Sequence, residues 1–201
     1  GCGNGVALCC LLYRVSGLEG FGVEMDKRAA DLCKRNIDLN MFKAKICNIN
    51  IANTIRELKS VSFDHVFMNP PYFKQNSVKK SHILSSHQAR VESMPLSAWI
   101  SVAKNRCKPN GKITVIQRVE RLPDIIKCLN GYFGQVTVQP ISSFKDTSPK
   151  TVIVQATKTS GAAFKLLAPK IVHRRDGISG KVVYEDEFKK ILRYGHPLQL
   201  N

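Results

Sequence analysis

Apolar residues recur along the chain with two different periods. Short runs rich in Val, Ile and Phe predict buried strands, and stretches with an apolar residue every three or four positions predict helices. The predicted strands occupy residues 20–24, 45–51, 63–68, 112–117, 133–138 and 151–156. Because helices are predicted between most of them, the pattern is typical of an α/β fold with a mostly parallel sheet. The last two strands are joined by a loop alone, which predicts an antiparallel pair.

Two of the predicted helices can be placed in detail. Residues 6–12 are all apolar, which predicts a buried helix. Asp26 is the predicted N-cap of the next helix, because its side chain can accept hydrogen bonds from the first free N–H groups. The apolar positions of that helix share one face and are Ala30, Cys33, Ile37 and Met41. Further helices are predicted at residues 95–107, 121–130 and 185–194.

A polar and aromatic segment follows the predicted strand at residues 63–68. Its sequence is Asn69-Pro70-Pro71-Tyr72-Phe73, and the two prolines must end the strand because they donate no hydrogen bond. The carboxyl ends of strands in an open α/β sheet are where ligands bind. The Asn69 side chain and the Pro70 carbonyl can accept hydrogen bonds, and Tyr72 can stack. This set suits an amino group on a flat conjugated base, although a plain proline turn with a buried tyrosine is also compatible with the segment.

The chain begins with a glycine-rich turn directly before the first predicted helix. Gly1, Cys2, Gly3 and Gly5 allow a ligand to approach the backbone closely, and the helix N-terminus offers free N–H groups. Glu24 ends the next predicted strand, about 20 residues later, which is the spacing at which a carboxylate binds a ribose in dinucleotide-binding folds. The alternative for Glu24 is a solvated residue in a turn.

Together these motifs resemble the class I S-adenosylmethionine-dependent methyltransferases that act on planar nitrogens. The resemblance runs over nearly the whole chain and is closest to the bacterial tRNA1(Val) (adenine-N6)-methyltransferases, which modify the adenosine beside the anticodon. The closer match depends on the sequences Pro-Pro-Tyr-Phe at 70–73, Ala-Arg-Val-Glu at 89–92, Trp-Ile at 99–100 and Ile-Val-His at 171–173.

This resemblance implies a Rossmann-like fold with a mostly parallel sheet and an antiparallel C-terminal strand pair. The family's first strand, at the centre of the sheet, precedes its glycine turn, whereas here residue 1 is already in the turn. We therefore expect residues 1–201 to be a single methyltransferase domain that is truncated at its N-terminus. Within it, we expect a mobile basic loop at 74–90 and a C-terminal extension at 161–201.

The resemblance also implies the cofactor S-adenosyl-L-methionine. The family usually has an acid after the third strand that contacts the cofactor's adenine, and the nearest match here is Asn50. The predicted cofactor-binding residues are Gly1, Cys2, Gly3, Gly5, Glu24, Asn50 and Asn69. The predicted catalytic residues are Asn69, Pro70 and Tyr72.

Charge indicates the partner. The chain has 31 Lys and Arg against 15 Asp and Glu, a formal net charge of +16, and residues 65–91 and 147–175 contain no acid. Such an excess is typical of proteins that bind a polyanion, and with the resemblance it predicts tRNA. The predicted substrate-binding residues are Pro71, Phe73, Lys79, Lys80, Arg90, Arg174 and Arg175.

Other classes of protein fit the sequence less well. No apolar run reaches membrane-spanning length, and no signal peptide is recognisable. The seven cysteines include no Cys-x-x-Cys pair, so we expect reduced thiols in a cytoplasmic protein, without a metal site. We expect a monomer.

The predicted reaction is methylation of the N6 amino group of an adenosine in a tRNA anticodon loop. Asn-Pro-Pro-Tyr also occurs in methyltransferases that modify a glutamine of release factors and in DNA adenine methyltransferases. The latter usually carry a large target-recognition domain, for which this chain has no room. A non-catalytic RNA-binding remnant is the third alternative.

Overall fold

The structure is a computed structural model, and it describes residues 1–53, 58–71 and 94–200. These residues fall into two compact units. The first contains residues 1–59 and 189–198, and the second contains residues 60–188 and 199–201. Among the described residues, no helix is long and apolar enough to cross a membrane.

The described helices and strands alternate along most of the chain, which confirms the predicted α/β class. The helices are α1 (Val6–Arg14), α2 (Lys27–Leu39), α3 (Leu96–Arg106), α4 (Leu122–Leu129) and α5 (Asp186–Tyr194). The longer strands are β1 (Gly20–Glu24), β2 (Ala44–Asn48), β3 (Phe63–Met68), β4 (Cys107–Arg118), β5 (Phe133–Ser142) and β6 (Thr151–Lys158). The short strands are β7 (Lys165–Leu166), β8 (Lys170–Ile171), β9 (His173–Arg175) and β10 (Val182–Tyr184).

In the first unit, β1 and β2 pair in parallel and α2 packs on them through a small apolar core. The Asp26 side chain accepts a hydrogen bond from the Ala29 N–H at 2.8 Å, which confirms the predicted N-cap of α2. Ala30, Cys33 and Ile37 are buried as predicted. Met41 is not: it lies beyond the end of α2 in a left-handed conformation (φ 54°) and is 92% exposed.

The first helix forms where the sequence predicts it, but the prediction that it is buried was wrong. Of the residues in α1, only Leu12 is buried, whereas Val6 is 59% and Tyr13 is 78% exposed. An all-apolar run contains no periodic signal that identifies the packed face, so composition alone overestimated its burial.

In the second unit, one sheet has the strand order β3-β4-β6-β5-β7, with β8 also paired to β5. β3 pairs with β4 in parallel, and β6 lies antiparallel between β4 and β5. The predicted antiparallel pair is therefore confirmed. The segment after β8 forms a separate hairpin in which β9 and β10 pair antiparallel.

Helices α3 and α4 cover this sheet and bury its core. Leu96, Ile100 and Ala103 of α3 are buried, and Trp99 packs partly buried against the same core. The Lys158 ammonium at the end of β6 donates to the carbonyls of Lys104 and Cys107, both at 2.7 Å. A cation at this position satisfies carbonyls that the end of α3 leaves free.

Candidate functional site

The glycine turn at the start of the chain has a conformation that requires glycine. Gly3 and Gly5 have φ angles of 55° and 87°, in the left-handed region, and Gly5 is the N-cap of α1. A Cβ atom at Gly5 would lie 2.5 Å from Cys33 Sγ. The turn therefore packs directly on α2 and has no room there for a side chain.

Hydrogen bonds hold this turn from three sides. The Cys2 N–H donates to the Val23 carbonyl of β1 at 2.8 Å. The Asn36 side chain of α2 donates to the Asn4 carbonyl at 2.8 Å. The Gly3 N–H donates to Glu24 Oε2 at 2.8 Å. The predicted residues Cys2, Gly3, Gly5 and Glu24 are thus brought together in one place.

Glu24 connects the glycine turn to the end of β1. Its Oε1 accepts hydrogen bonds from the N–H groups of Met25 and Asp26, at 2.8 and 2.9 Å, while Oε2 accepts from Gly3. An ionised carboxylate can accept about four hydrogen bonds, so this arrangement leaves capacity for a ligand hydroxyl. Its orientation is fixed by the backbone on both sides of it.

Asn50 lies beside the same strand end. Strand β2 ends at Asn48, so Asn50 is in the following loop instead of in the longer strand that the sequence predicts. Its Oδ1 accepts from the Ala52 N–H at 2.9 Å, and its Nδ2 lies 3.3 Å from Met25 Sδ. This contact places Asn50 next to the turn that follows Glu24.

The thiols near the turn are not suited to nucleophilic or metal chemistry. Cys2 Sγ lies 3.8 Å from Cys33 Sγ. Burial raises the pKa of the Cys33 thiol to about 12 and also raises the pKa of Cys2, so both stay protonated near neutral pH. Within the described residues, no group of His, Cys, Asp or Glu side chains could hold a metal ion.

The second group of predicted site residues follows β3, in the second unit. Asn69 is exposed, Pro70 is fully buried and Pro71 is partly buried. The Gln117 side chain donates to both proline carbonyls, with Nε2 at 3.2 Å from each oxygen. The predicted residues Tyr72, Phe73, Lys79, Lys80 and Arg90 lie outside the described residues, as does the whole predicted loop at 74–90.

Gln117 is a residue that the sequence analysis missed. It lies on the same face of β4 as Ile113 and Val115, and all three are fully buried. The sequence does contain a signal for it, because Gln117 continues the alternation of Ile113 and Val115 on the buried face of the strand. A buried amide must find hydrogen-bond partners, so its presence there predicts a polar contact at the strand end.

The basic residues of the acid-free stretch at 147–175 have different neighbours in the structure. Arg174 lies 3.8 Å from a Glu185 carboxylate oxygen and 4.0 Å from one of Asp186. Lys170 pairs with Glu187 at 2.6 Å. The guanidinium of Arg175 instead lies 6.0 Å from the centre of the Phe144 ring. Of the two predicted arginines, Arg174 is thus close to carboxylates and Arg175 is close to an aromatic ring.

Aromatic rings adjoin Arg175 at the β9–β10 hairpin. His173 stacks on Tyr184 with ring centres 5.0 Å apart, and its ring centre lies 5.7 Å from that of Phe144. A cation next to partly exposed rings is a common combination in surfaces that bind single-stranded nucleic acid.

Known proteins resemble this chain in sequence and in fold. The family model for the methyltransferase small domain matches residues 1–144. The crystal structure of a predicted O-methyltransferase from Agrobacterium tumefaciens superimposes with a TM-score of 0.74 at 21% identity, over 95% of this chain and 85% of that one. An S-adenosylmethionine-dependent O-methyltransferase from Thermotoga maritima superimposes with a TM-score of 0.55 at 17% identity, over 81% and 58%.

One relative has a name that specifies the nucleoside it modifies. The tRNA1(Val) (adenine(37)-N6)-methyltransferase of Haemophilus influenzae is 28% identical over 119 residues, which are 58% of this chain and 50% of that protein. The chain thus spans about half the length of that curated relative.

The fold and the glycine turn define a Rossmann-like class I methyltransferase, as the sequence predicts. The chain belongs to the methyltransferase small domain family. The cofactor is S-adenosyl-L-methionine, and the glycine turn fits such a group. A Cβ built at Gly3 would meet nothing within 4 Å, so the space in front of the turn is open. The first N–H groups of α1 and the Glu24 carboxylate lie around it.

Proposed function

We propose that this chain is part of a single methyltransferase domain that methylates the N6 amino group of an adenosine in a tRNA anticodon loop. The observation that carries the proposal is the Asn69-Pro70-Pro71 segment at the end of β3, where an exposed asparagine follows directly on a strand of the sheet. The name of the Haemophilus influenzae relative supports the choice of adenine N6 and of tRNA.

The chemistry at an exocyclic amino group is mainly a matter of positioning. The lone pair of this nitrogen is shared with the ring, which makes it a weak nucleophile. Asn69 Oδ1 and the Pro70 carbonyl would accept its two hydrogens and hold the nitrogen closer to tetrahedral, with its lone pair free. Gln117 occupies one acceptor direction of Pro70 O, and a carbonyl oxygen has two. Tyr72 and Phe73 would stack on the base, which contributes about 1–3 kcal/mol.

The cofactor supplies an activated methyl group on a sulfonium. Gly1, Cys2, Gly3 and Gly5 would approach it with their backbone, Glu24 would bind the ribose hydroxyls, and Asn50 would contact the adenine. Because the turn is already held by β1, α2 and Glu24, little backbone order has to be gained on binding. Asn69 is a further candidate for binding the cofactor.

The proposed partner is tRNA. Its phosphates would be bound by basic residues, for which Lys79, Lys80, Arg90, Arg174 and Arg175 are the candidates. An anticodon-loop nucleotide is unpaired, so it can enter a pocket without the cost of opening a duplex.

Methylation of a defined nucleoside tests the proposal. The protein that contains this chain is incubated with unmodified tRNA and S-adenosylmethionine labelled in its methyl group. The tRNA is then digested and the methylated nucleoside is identified by mass. We expect label in N6-methyladenosine, and we expect Asn69→Ala to abolish it while the melting temperature changes little.

The matched control is Asn130→Ala, an exposed asparagine after α4 in the same unit. It should keep wild-type turnover. Label on a glutamine of a release factor would assign the chain to protein methylation instead, and label in DNA adenine would assign it to DNA. No label on any of these substrates would favour an RNA-binding protein without activity.

A further inference from the structure

The Asn-Pro-Pro segment has few groups by which it can be fixed. Proline has no N–H, so Pro70 and Pro71 offer only their carbonyl oxygens for hydrogen bonding. A hydrogen bond that orients either proline carbonyl must therefore be donated to it by a group elsewhere in the chain. Gln117 is such a donor, since its Nε2 lies 3.2 Å from both carbonyl oxygens.

Gln117 is itself firmly held. Its side chain is 0% exposed, and its Oε1 accepts a hydrogen bond from the Arg118 N–H at 2.9 Å. This bond fixes which end of the amide faces the prolines. The residue lies in β4, which pairs with β3 on one side and with β6 on the other, where Gln117 is opposite Val152. The donor thus belongs to an inner strand of the sheet, and its Nε2 donates to two carbonyls of the segment.

We propose that Gln117 is a positioning residue of the methyl-transfer site: by binding both proline carbonyls it sets the direction in which Asn69 and Pro70 meet the acceptor amino group. This inference rests on the proposed function of Asn69 and Pro70. One lone pair of Pro70 O is occupied by Gln117, so the other has a fixed direction. The bond to Pro71 O fixes the next peptide unit at the same time.

Loss of these bonds should affect the reaction more than cofactor binding. The two carbonyls would lose their donor, and the segment would move to find water or another partner. A displacement of about 1 Å from the reactive geometry can cost about a hundredfold in rate. The glycine turn and Glu24 belong to the other unit, and their hydrogen bonds do not involve Gln117.

The chain offers a matched control in Gln139 of β5. This glutamine is also buried, at 1% exposed, and its Nε2 also donates to two carbonyls, those of Pro140 at 3.0 Å and Ala168 at 2.8 Å. Gln139→Met and Gln117→Met remove the same chemistry from the same unit. Of these two glutamines, Gln117 is the one whose hydrogen bonds reach the Asn-Pro-Pro segment.

Turnover on unmodified tRNA, cofactor affinity and melting temperature are measured for the wild type, Gln117→Met, Gln117→Glu and Gln139→Met. We expect Gln117→Met to lower kcat by roughly ten- to a hundredfold with unchanged cofactor affinity, since positioning is what it loses. Gln139→Met should lower the melting temperature to a similar extent and keep its kcat. Gln117→Glu should regain activity as the pH falls, because a protonated carboxyl can donate one hydrogen bond and a carboxylate cannot.

Wild-type kcat in Gln117→Met, or an equal loss in both methionine variants, would overturn the inference. A second measurement does not depend on turnover: the carbonyl 13C resonances of Pro70 and Pro71 should shift in Gln117→Met and stay in place in Gln139→Met. Unchanged resonances in Gln117→Met would also overturn it. A wild type that methylates no adenosine would refute the proposed function, and the resonances would then still decide whether Gln117 holds the two carbonyls.

Discussion

At the scale of single residues, Glu24 is the proposed link between the fold and the cofactor. Three backbone N–H groups, from Gly3, Met25 and Asp26, converge on its two oxygens. The same carboxylate therefore closes the glycine turn onto β1 and presents its remaining acceptor capacity beside the turn. Removal of this carboxylate is therefore expected to disturb both the turn and the proposed cofactor contact.

We predict that Glu24→Ala weakens S-adenosylmethionine binding by about 2–3 kcal/mol, through loss of charge-assisted hydrogen bonds. Titration calorimetry measures this directly. Glu19→Ala is the control, because Glu19 is an acid at the opposite end of β1 that pairs with Lys43. Equal affinities of wild type and Glu24→Ala would exclude the predicted role of Glu24.

At the scale of elements, short-range patterns identified most helices and strands correctly. The N-cap of α2, its buried face up to Ile37 and the antiparallel β5–β6 pair all follow from neighbouring residues. The failures depend on contacts that are distant in sequence. One is the choice of which face of α1 is packed, and the other is the hydrogen bonding from Gln117 to Pro71 and Pro70, which are 46 and 47 residues away. Both are determined by tertiary contacts, which the periodicity of the sequence does not reveal.

We predict that Asp26→Ala lowers the free energy of unfolding by about 1 kcal/mol, because the Ala29 N–H loses its acceptor. Asp26→Asn should keep most of the stability, since an amide oxygen can also cap. Urea titration followed by circular dichroism measures both variants. Asp38→Ala, at an exposed position in the last turn of α2, serves as the control. An Asp26→Ala protein as stable as the wild type would show that this cap is dispensable.

At the scale of the whole molecule, the net charge of +16 is the property most relevant to a nucleic-acid partner. Sequence alone identified the excess but could not show which cations lie next to acids. Arg174 and Lys170 belong to the acid-free stretch 147–175, but in the structure they lie near carboxylates of residues 185–187, further along the chain. The contribution of each cation to RNA binding should differ accordingly.

We predict that tRNA affinity falls steeply with salt, and that replacing Lys79, Lys80, Arg174 and Arg175 by Gln flattens this dependence without changing cofactor affinity. Each lost phosphate contact should lower the slope of log K against log salt by about 0.7–0.9. Among single variants, Arg175→Gln should change the slope more than Arg174→Gln does, because Arg174 already lies close to the carboxylates of Glu185 and Asp186. Filter binding at several salt concentrations provides the slopes, and a wild-type affinity insensitive to salt would contradict tRNA binding through phosphates.

The contact between Gly5 and Cys33 also restricts how this sequence can evolve. A Cβ at position 5 would lie 2.5 Å from Cys33 Sγ and 3.3 Å from its Cα, and the φ of 87° already favours glycine there. Conversely, a larger side chain at position 33 would press on the glycine turn from behind. Across relatives, we therefore expect position 5 to remain glycine and position 33 to be occupied by small residues such as alanine, serine or cysteine. The residues allowed at each of these two positions are therefore limited by the residue at the other, although the positions are 28 residues apart in sequence.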